Sequence, residues 1–288
     1  MIIVVENIVS TIGISGIDNR IGDVYTMLRS YLRIRPANYG QILMQMKRKG
    51  MAYQWDGYTY FINKKCQFPT GFIGLVYNYL TELGIVITFQ DQRKNMPIPK
   101  GMLACNYITT LGSLAVHQIE AIDKTLANHI TNQLYFPRGI WDMATNSRKT
   151  ATAGSLINNI QTPKAIMLIG EQGLLKQHYN YYKTVFTGKD EVGFITSSKQ
   201  QLGSILTICM IRTLYNRLKK STTLQRDLNN RFNILITDEA HDLIGKQATY
   251  VINHINAGVR VAMSGTPLSG TDKVAKFRLV GMFGTVLH

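Results

Sequence analysis

The sequence is poor in cysteine, in acidic residues and in long apolar runs, and each shortage excludes something. Its three cysteines, Cys66, Cys105 and Cys209, lie far apart and form no CxxC pair. Neither a zinc site nor a disulfide framework is expected from them, and a reducing, intracellular setting fits. No stretch approaches the roughly 18 consecutive apolar residues of a membrane span. The opening run, Met1 to Glu6, lacks a basic flank and is too short for a signal peptide, so a soluble protein without membrane association is expected. No internal repeat or low-complexity segment is visible. Acidic residues number 17 against 32 Lys and Arg, a net charge of +15. Such an imbalance favours a polyanionic partner, nucleic acid above all. A membrane surface is the rival, but no amphipathic basic helix stands out to support it.

What is present is enough chain for two domains, 288 residues with a 45% hydrophobic fraction. Residues 1–16 alternate weakly, as a strand or two with a turn. Asp23 to Ile34 has helical spacing, with Arg29 and Arg33 on one face. Gly50 to Phe61 is rich in Tyr, Trp and Gly, and Tyr58 to Ile62 alternates like a strand. A turn at Phe68-Pro69-Thr70-Gly71-Phe72 leads into a helix over Ile73–Leu83 and a strand over Ile85–Phe89. This reads as a small α+β module, residues 1–98, whose Arg33, Arg35, Lys47, Arg48, Lys49, Lys64 and Lys65 make a basic surface. Interleaved with Tyr53, Trp55, Tyr58 and Tyr60, that surface suits nucleic acid, although such aromatics also serve as core. Arg93 to Pro99 reads as a linker. Beyond it, residues 99–288 open with an amphipathic helix over Leu114–Ile130 and a strand over Ile140–Met143. Strands at Ala165–Gly170, Val192–Thr196, Ile205–Cys209, Ile234–Ile236 and, with its polar exit, Arg260–Pro267 then alternate with helices at Leu174–Tyr182, Ile211–Lys220 and Lys246–Ile255. That alternation predicts an α/β domain with a parallel sheet flanked by helices. A last strand-like piece covers Gly284–Leu287.

Two strand exits carry chemistry. Ile234 to Ile236 run apolar and end, after Thr237, in Asp238-Glu239-Ala240-His241. Paired carboxylates at the C-terminal end of a buried parallel strand suit a hydrated Mg²⁺ and a polarised water; a solvated acidic turn is the alternative. Upstream, Ala144 to Thr150 is a strand exit that ends Lys-Thr and runs into a helix. A phosphate loop needs inward N–H groups, a lysine for the β/γ-phosphates and a hydroxyl for Mg²⁺, and Lys149 and Thr150 supply the last two.

Together these stretches resemble the N-terminal half of superfamily 2 DNA helicases, and the phage UvsW-type group in particular, over nearly the whole chain. "HQIEAI" around Gln118 is similar to the family's adenine-reading segment, and Thr145, Asn146, Ser147, Arg148, Lys149 and Thr150 occupy the place of its motif I. Ile166 to Gln177 resembles motif Ia and Ile205 to Leu214 more loosely the next backbone-gripping motif, which implicates Gln172, Lys176 and Arg212 in nucleic-acid contact. "DEAH" at 238–241 is similar to motif II and "SGTP" at 264–267 to motif III. "WDG" at 55–57 and "FPTG" at 68–71 resemble the accessory domain of the same helicases.

The resemblance implies a RecA-like P-loop NTPase domain using ATP and Mg²⁺ on DNA, branched or double-stranded, with RNA left open, in the cytoplasm of a host cell if the chain is phage-encoded. Thr150 and Asp238 would hold the metal, and Glu239 would position or deprotonate the attacking water. His241, Ser264 and Thr266 would couple the nucleotide site to nucleic acid. Three departures stand against the pattern. Asn146 and Arg148 replace loop glycines, Gly170 and Glu171 stand where Pro-Thr is common, and the chain stops soon after SGTP, so the second RecA-like domain is expected on a companion chain or lost. One expectation is therefore the N-terminal portion of an ATP-dependent helicase of recombination or replication type. The other is a catalytically degenerate helicase-like module that binds DNA or protein. An unrelated P-loop kinase or transferase leaves the ordered Ia-like and SGTP segments unexplained.

Overall fold

The computed structural model describes residues 1–13, 21–51, 55–100, 108–109, 112–144, 146–242, 244–265 and 272–288. The chain begins with β1 (Ile2–Val5) and β2 (Val9–Gly13), which alternate buried and half-buried residues and send Ile3, Val5 and Ile12 to one face. That is the period-two pattern of a sheet covered on one side. Next come α1 (Ile21–Tyr31), β3 (Arg33–Ile34), α2 (Tyr39–Arg48), β4 (Thr59–Tyr60), β5 (Gln67–Pro69), α3 (Ile73–Glu82) and β6 (Thr88–Asp91). Four strands form a sheet in the order β5-β2-β1-β6, antiparallel except for the β1–β6 pair. Val24 and Leu28 of α1 and Val76 and Leu80 of α3 close its core.

The remaining elements are β7 (Ile108–Thr109), β8 (Gly112–Ser113), α4 (Val116–Leu126), β9 (His129–Thr131), β10 (Leu134–Tyr135), β11 (Arg138–Asp142), α5 (Lys149–Asn158), β12 (Ala165–Ile169), α6 (Gln172–Val185), β13 (Val192–Ile195) and β14 (Gln200–Gln201). They continue with β15 (Leu206–Met210), α7 (Ile211–Leu218), α8 (Thr222–Arg231), β16 (Ile234–Thr237), α9 (Lys246–Ile252), β17 (Val259–Ser264) and α10 (Lys273–Phe283). Seven strands make one sheet in the order β11-β17-β16-β12-β15-β13-β14, parallel apart from β14. Residues Ala165–Ile169 and Ile234–Thr237 are buried throughout, which is why these strands read as unbroken apolar runs. Helices α4, α5 and α6 cover one face through Ala121, Ile122, Leu156 and Tyr182. Helices α7 to α10 cover the other through Leu214, Leu228, Val251 and Leu279.

Several boundaries differ from the periodicity. The helix expected over Leu114–Ile130 ends at Leu126, because Asn128 turns away to bond the next hairpin: its side chain donates to the Arg138 carbonyl and its own carbonyl accepts from the Phe136 N–H. The strand expected over Ile85–Phe89 is shifted to Thr88–Asp91, where it pairs with β1. The strand-like tail is a single parallel bridge, Val286 to Ile140, on the free edge of β11. Helices α2, α8 and α10 are additions to the expected set. Helix α2 buries no residue. Helix α8 shows only Leu224 and Leu228 buried and is capped by Ser221 Oγ, which accepts from the Leu224 N–H at 3.1 Å. Helix α10 is apolar on more than one side because it serves two cores: Leu279 and Phe283 face the large sheet, and Phe277 and Val280 pack on the N-terminal core. A helix buried on two separate sides carries no single apolar stripe to detect.

Candidate functional site

Strands β11, β17 and β16 are neighbours in the parallel sheet, so the loops at their C-terminal ends meet. These loops carry the Lys-Thr turn, the Ser264-Gly265 start of the SGTP stretch and DEAH. The Met143 N–H donates to the Ser264 carbonyl at 3.0 Å, tying the first two together. Within this rim Glu239 is the hub. Its Oε1 lies 3.4 Å from Lys149 Nζ, and its Oε2 accepts the Gly265 N–H at 3.2 Å and lies 3.5 Å from His241 Nδ1. The His241 Nδ1 in turn is 3.1 Å from Ser264 Oγ. Lys149 also points at the Met143 carbonyl, 3.5 Å away. Residues 23, 26 and 90 positions apart in sequence are thus joined in one polar network, placed where open α/β sheets bind ligands.

Asp238 stands beside this hub and is more enclosed, 7% exposed. Its backbone N–H donates to the Leu168 carbonyl at 3.1 Å, one strand away. Its Oδ1 accepts the Glu239 N–H at 3.0 Å, and its Oδ2 is 2.9 Å from His178 Nε2. A carboxylate offers about four acceptor positions, so those two bonds leave room for a cation's hydration shell. Thr150 follows Lys149 in the first turn of α5, where helix N–H groups lack intrahelical partners and favour anions. One carboxylate and one hydroxyl are hard oxygen donors of the kind Mg²⁺ takes when nucleotide phosphates complete its shell.

The phosphate-loop candidate keeps a glycine-like backbone without glycine. Asn146 has φ 68° and Arg148 φ 60°, the latter as the residue preceding α5. Both side chains are exposed. Glu239 is also left-handed, φ 47°, so two of the rim's loops hold conformations that cost non-glycine residues about 1–2 kcal/mol each. Gln118 is buried and its amide is engaged with this loop. The Oε1 accepts the Ala115 N–H at 2.8 Å, and the Nε2 donates to Ser147 O at 2.9 Å, Arg148 O at 3.3 Å and Thr152 Oγ1 at 3.1 Å. It holds the loop to the start of α4.

Gln172, Lys176 and Arg212 are exposed. Gln172 opens α6 and Arg212 lies in the first turn of α7, just beyond the ends of the paired strands β12 and β15. They share the rim but stand apart from the Glu239 network. Thr145 and Thr266 lie outside the described residues, as do Tyr53 and Cys105. Two site neighbours went unnoticed in the sequence. His178 contacts Asp238, and the Tyr182 hydroxyl donates to the Thr150 carbonyl at 3.0 Å. Their spacing of four on a helix reads as core packing, and only the fold shows what they face.

In the N-terminal part Trp55, Tyr58 and Tyr60 lie outside the apolar core, and arginines stack on the two tyrosines. The Arg29 guanidinium sits 3.6 Å above Tyr60, Arg33 4.3 Å above Tyr58, and Arg35 4.7 Å above Tyr58. Trp55 donates its Nε1–H to the Tyr58 carbonyl at 2.9 Å.

Comparison with known proteins agrees with this architecture. The UvsW helicase from bacteriophage T4 superposes with a TM-score of 0.71 at 14% identity, covering 99% of each chain. A second crystal structure of T4 UvsW gives 0.70 at 13% identity and covers 99% of this chain but 56% of that one. No curated protein matches by sequence. At such identity the likeness establishes the fold, an α/β architecture with a RecA-like parallel sheet. Among the described residues no helix is long and apolar enough to cross a membrane. The family described as "Type III restriction enzyme, res subunit" matches residues 112–269, more than half of the sequence and the stretch that holds every element of the rim, and the chain belongs to that family.

Proposed function

We propose that this chain is the ATP-binding portion of a DNA helicase of phage recombination or replication type, working in the host cytoplasm. Residues 1–98 are the accessory nucleic-acid-binding domain and 99–288 the first RecA-like domain. The observation that carries the reading is the polar network joining Lys149, Glu239, His241, Ser264 and Gly265 at adjacent strand ends. Lys149 is the phosphate cation, with the backbone from Asn146 to Arg148 wrapping the phosphates. Glu239 is the residue that orients and deprotonates the attacking water, held ready by the Gly265 N–H and by Lys149. Thr150 and Asp238 hold Mg²⁺, which when bound neutralises phosphate charge. Gln118 fixes the loop, and contact with adenine requires it to exchange one of its present bonds. His241 with Ser264 and Thr266 links Glu239 to the SGTP turn and so to movements of bound nucleic acid.

Gln172, Lys176 and Arg212 offer phosphate contacts along the β12–β15 rim, assisted by the N-termini of α6 and α7. The arginine–tyrosine ladder of the N-terminal part, with Lys47, Arg48 and Lys49 exposed at the end of α2, supplies a second surface for nucleic acid, DNA by preference. Full activity requires a second RecA-like domain facing the cleft, whether on a longer chain or on a companion, because the far wall of the site and its arginine fingers belong to that domain.

Thermal stability with Mg-ATP is the direct test. A one-site ligand at 100 times its Kd stabilises by about 2.7 kcal/mol, and Lys149→Ala is expected to abolish the shift. Absence of any shift at millimolar ATP supports the second reading, a non-hydrolysing binding module. That reading has its own observation, the Arg148 side chain on the loop where the helicases carry glycine. Strong DNA-stimulated hydrolysis by the 288-residue chain alone overturns the need for a second domain.

A further inference from the structure

We infer that His178 and Tyr182 of α6 are positioning residues for the magnesium side of the nucleotide site, one setting the Asp238 carboxylate and the other the backbone of Thr150. The inference rests on the reading of Asp238 and Thr150 as magnesium ligands. His178 is 3% exposed and its Nε2 is 2.9 Å from Asp238 Oδ2. A carboxylate only accepts, so the ring carries its proton on Nε2 and donates it. The other ring nitrogen, Nδ1, is buried without a partner. In the neutral ring that leaves only an acceptor unpaired, whereas a histidine serving the core alone is expected to satisfy both nitrogens or to be replaced by an apolar residue. The observed orientation gives up one bond and directs the other at the carboxylate.

The consequence is rotational. Asp238 has two side-chain torsions, and its bonds to His178 Nε2 and to the Glu239 N–H hold one oxygen each. With both oxygens pinned, the remaining lone pairs keep a fixed direction toward the rim. Tyr182, one turn further along α6, is fully buried and its hydroxyl donates to the Thr150 carbonyl at 3.0 Å. Its ring stacks on His178 with centroids 6.1 Å apart, and lies where a Cβ at Gly154 of α5 would come within 3.2 Å of its Cε1. The two side chains therefore form a buried strut from α6 to both metal-side residues, which sit on different elements, α5 and the end of β16. Outer partners of this kind orient the ligands, and their loss typically costs about 10–100-fold in metal affinity.

The experiment holds ATP constant, titrates Mg²⁺ against the full chain and reads binding by calorimetry and thermal shift, with EDTA controls for metal-free nucleotide binding. His178→Leu is expected to raise the Mg²⁺ needed for half-saturation by about 10–100-fold while leaving binding in EDTA unchanged. His178→Gln, whose amide reaches the same oxygen, restores most of the loss. His178→Asn, polar but too short, does not. Tyr182→Phe moves the Mg²⁺ requirement in the same direction. A His178→Leu titration that superposes on the wild type overturns the proposal. If that variant does not fold, equal behaviour of His178→Gln and His178→Asn overturns it instead. A wild-type chain that binds no Mg-ATP fails the nucleotide reading itself and the proposal with it, an outcome distinct from a normal wild type with an indifferent His178 variant.

Discussion

Asn146 and Arg148 show that a phosphate loop is specified by backbone conformation more than by residue type. Both occupy the left-handed region that glycine adopts freely, at φ 68° and 60°. Asn tolerates it, but Arg148 pays steric strain and adds a long side chain beside the candidate phosphate position. Arg148→Gly is expected to strengthen Mg-ATP binding in calorimetry with little change in melting temperature, since the strain relieved is offset by the greater freedom of glycine in the unfolded chain. Weaker binding instead identifies the Arg148 guanidinium as a phosphate ligand in its own right. At this scale much was legible. That Asp238, Glu239, His241 and Ser264 stand at strand exits was readable because their spacing from the ends of apolar strands is a local property. Gln118 was singled out by the resemblance as an adenine contact, yet its partners, the Ser147 and Arg148 carbonyls and the Thr152 hydroxyl, follow from how α4 lies on α5. His178 gave no signal, because a histidine one turn before a tyrosine on a helix has the pattern of ordinary core.

Among the elements, the paired strands β11 and β17 carry an unexpected load. Arg138 and Arg260 stand opposite each other in register and are both 1% exposed. Burial pushes the Arg260 guanidinium down to about 10. Arg138 is held well below its ordinary value by burial and by the nearby charges of Arg260 and Arg93. Its Nε and Nη2 have no hydrogen-bond partner. A base whose value is lowered on folding is destabilising wherever it stays charged, so the cost applies at all pH below the folded value and is lost only as pH rises through it. Arg138→Met, which keeps most of the volume, is expected to stabilise the fold by on the order of 1–2 kcal/mol, read as a higher denaturation midpoint at unchanged slope. A drop in stability instead indicates that its packing on Phe136 outweighs the charge. Helices with one apolar stripe and strands with continuous apolar runs were legible from the sequence. Helix α10 was not, since two cores cover it from different sides.

At the scale of the molecule, α10 is the seam. Phe277 sits 5.0 Å from Phe61 and 4.6 Å from Phe72 between ring centroids, and the N-terminal core takes in Leu134 and Phe136 as well. Gly71 is pressed onto this helix: a Cβ there would lie 2.1 Å from the Val280 carbonyl oxygen and 2.6 Å from that of Gly281. Gly71→Ala is therefore expected to be among the most damaging small substitutions, costing about 3 kcal/mol or more because backbone has to move. The loss is measured as a large fall in melting temperature. A variant as stable as the wild type shows that the two sheets adjust independently across the seam. The parallel sheet and the order of the strand-end motifs are written in short-range pattern: apolar runs of strand length, each followed by polar residues and a helix. Which strand ends become neighbours, that Glu239 rather than Asp238 takes the lysine, and that α6 reaches back to Asp238 and Thr150 emerge only in the folded chain. Those outcomes depend on strand order and helix placement, which bring together residues separated by tens of positions and leave no mark in local spacing.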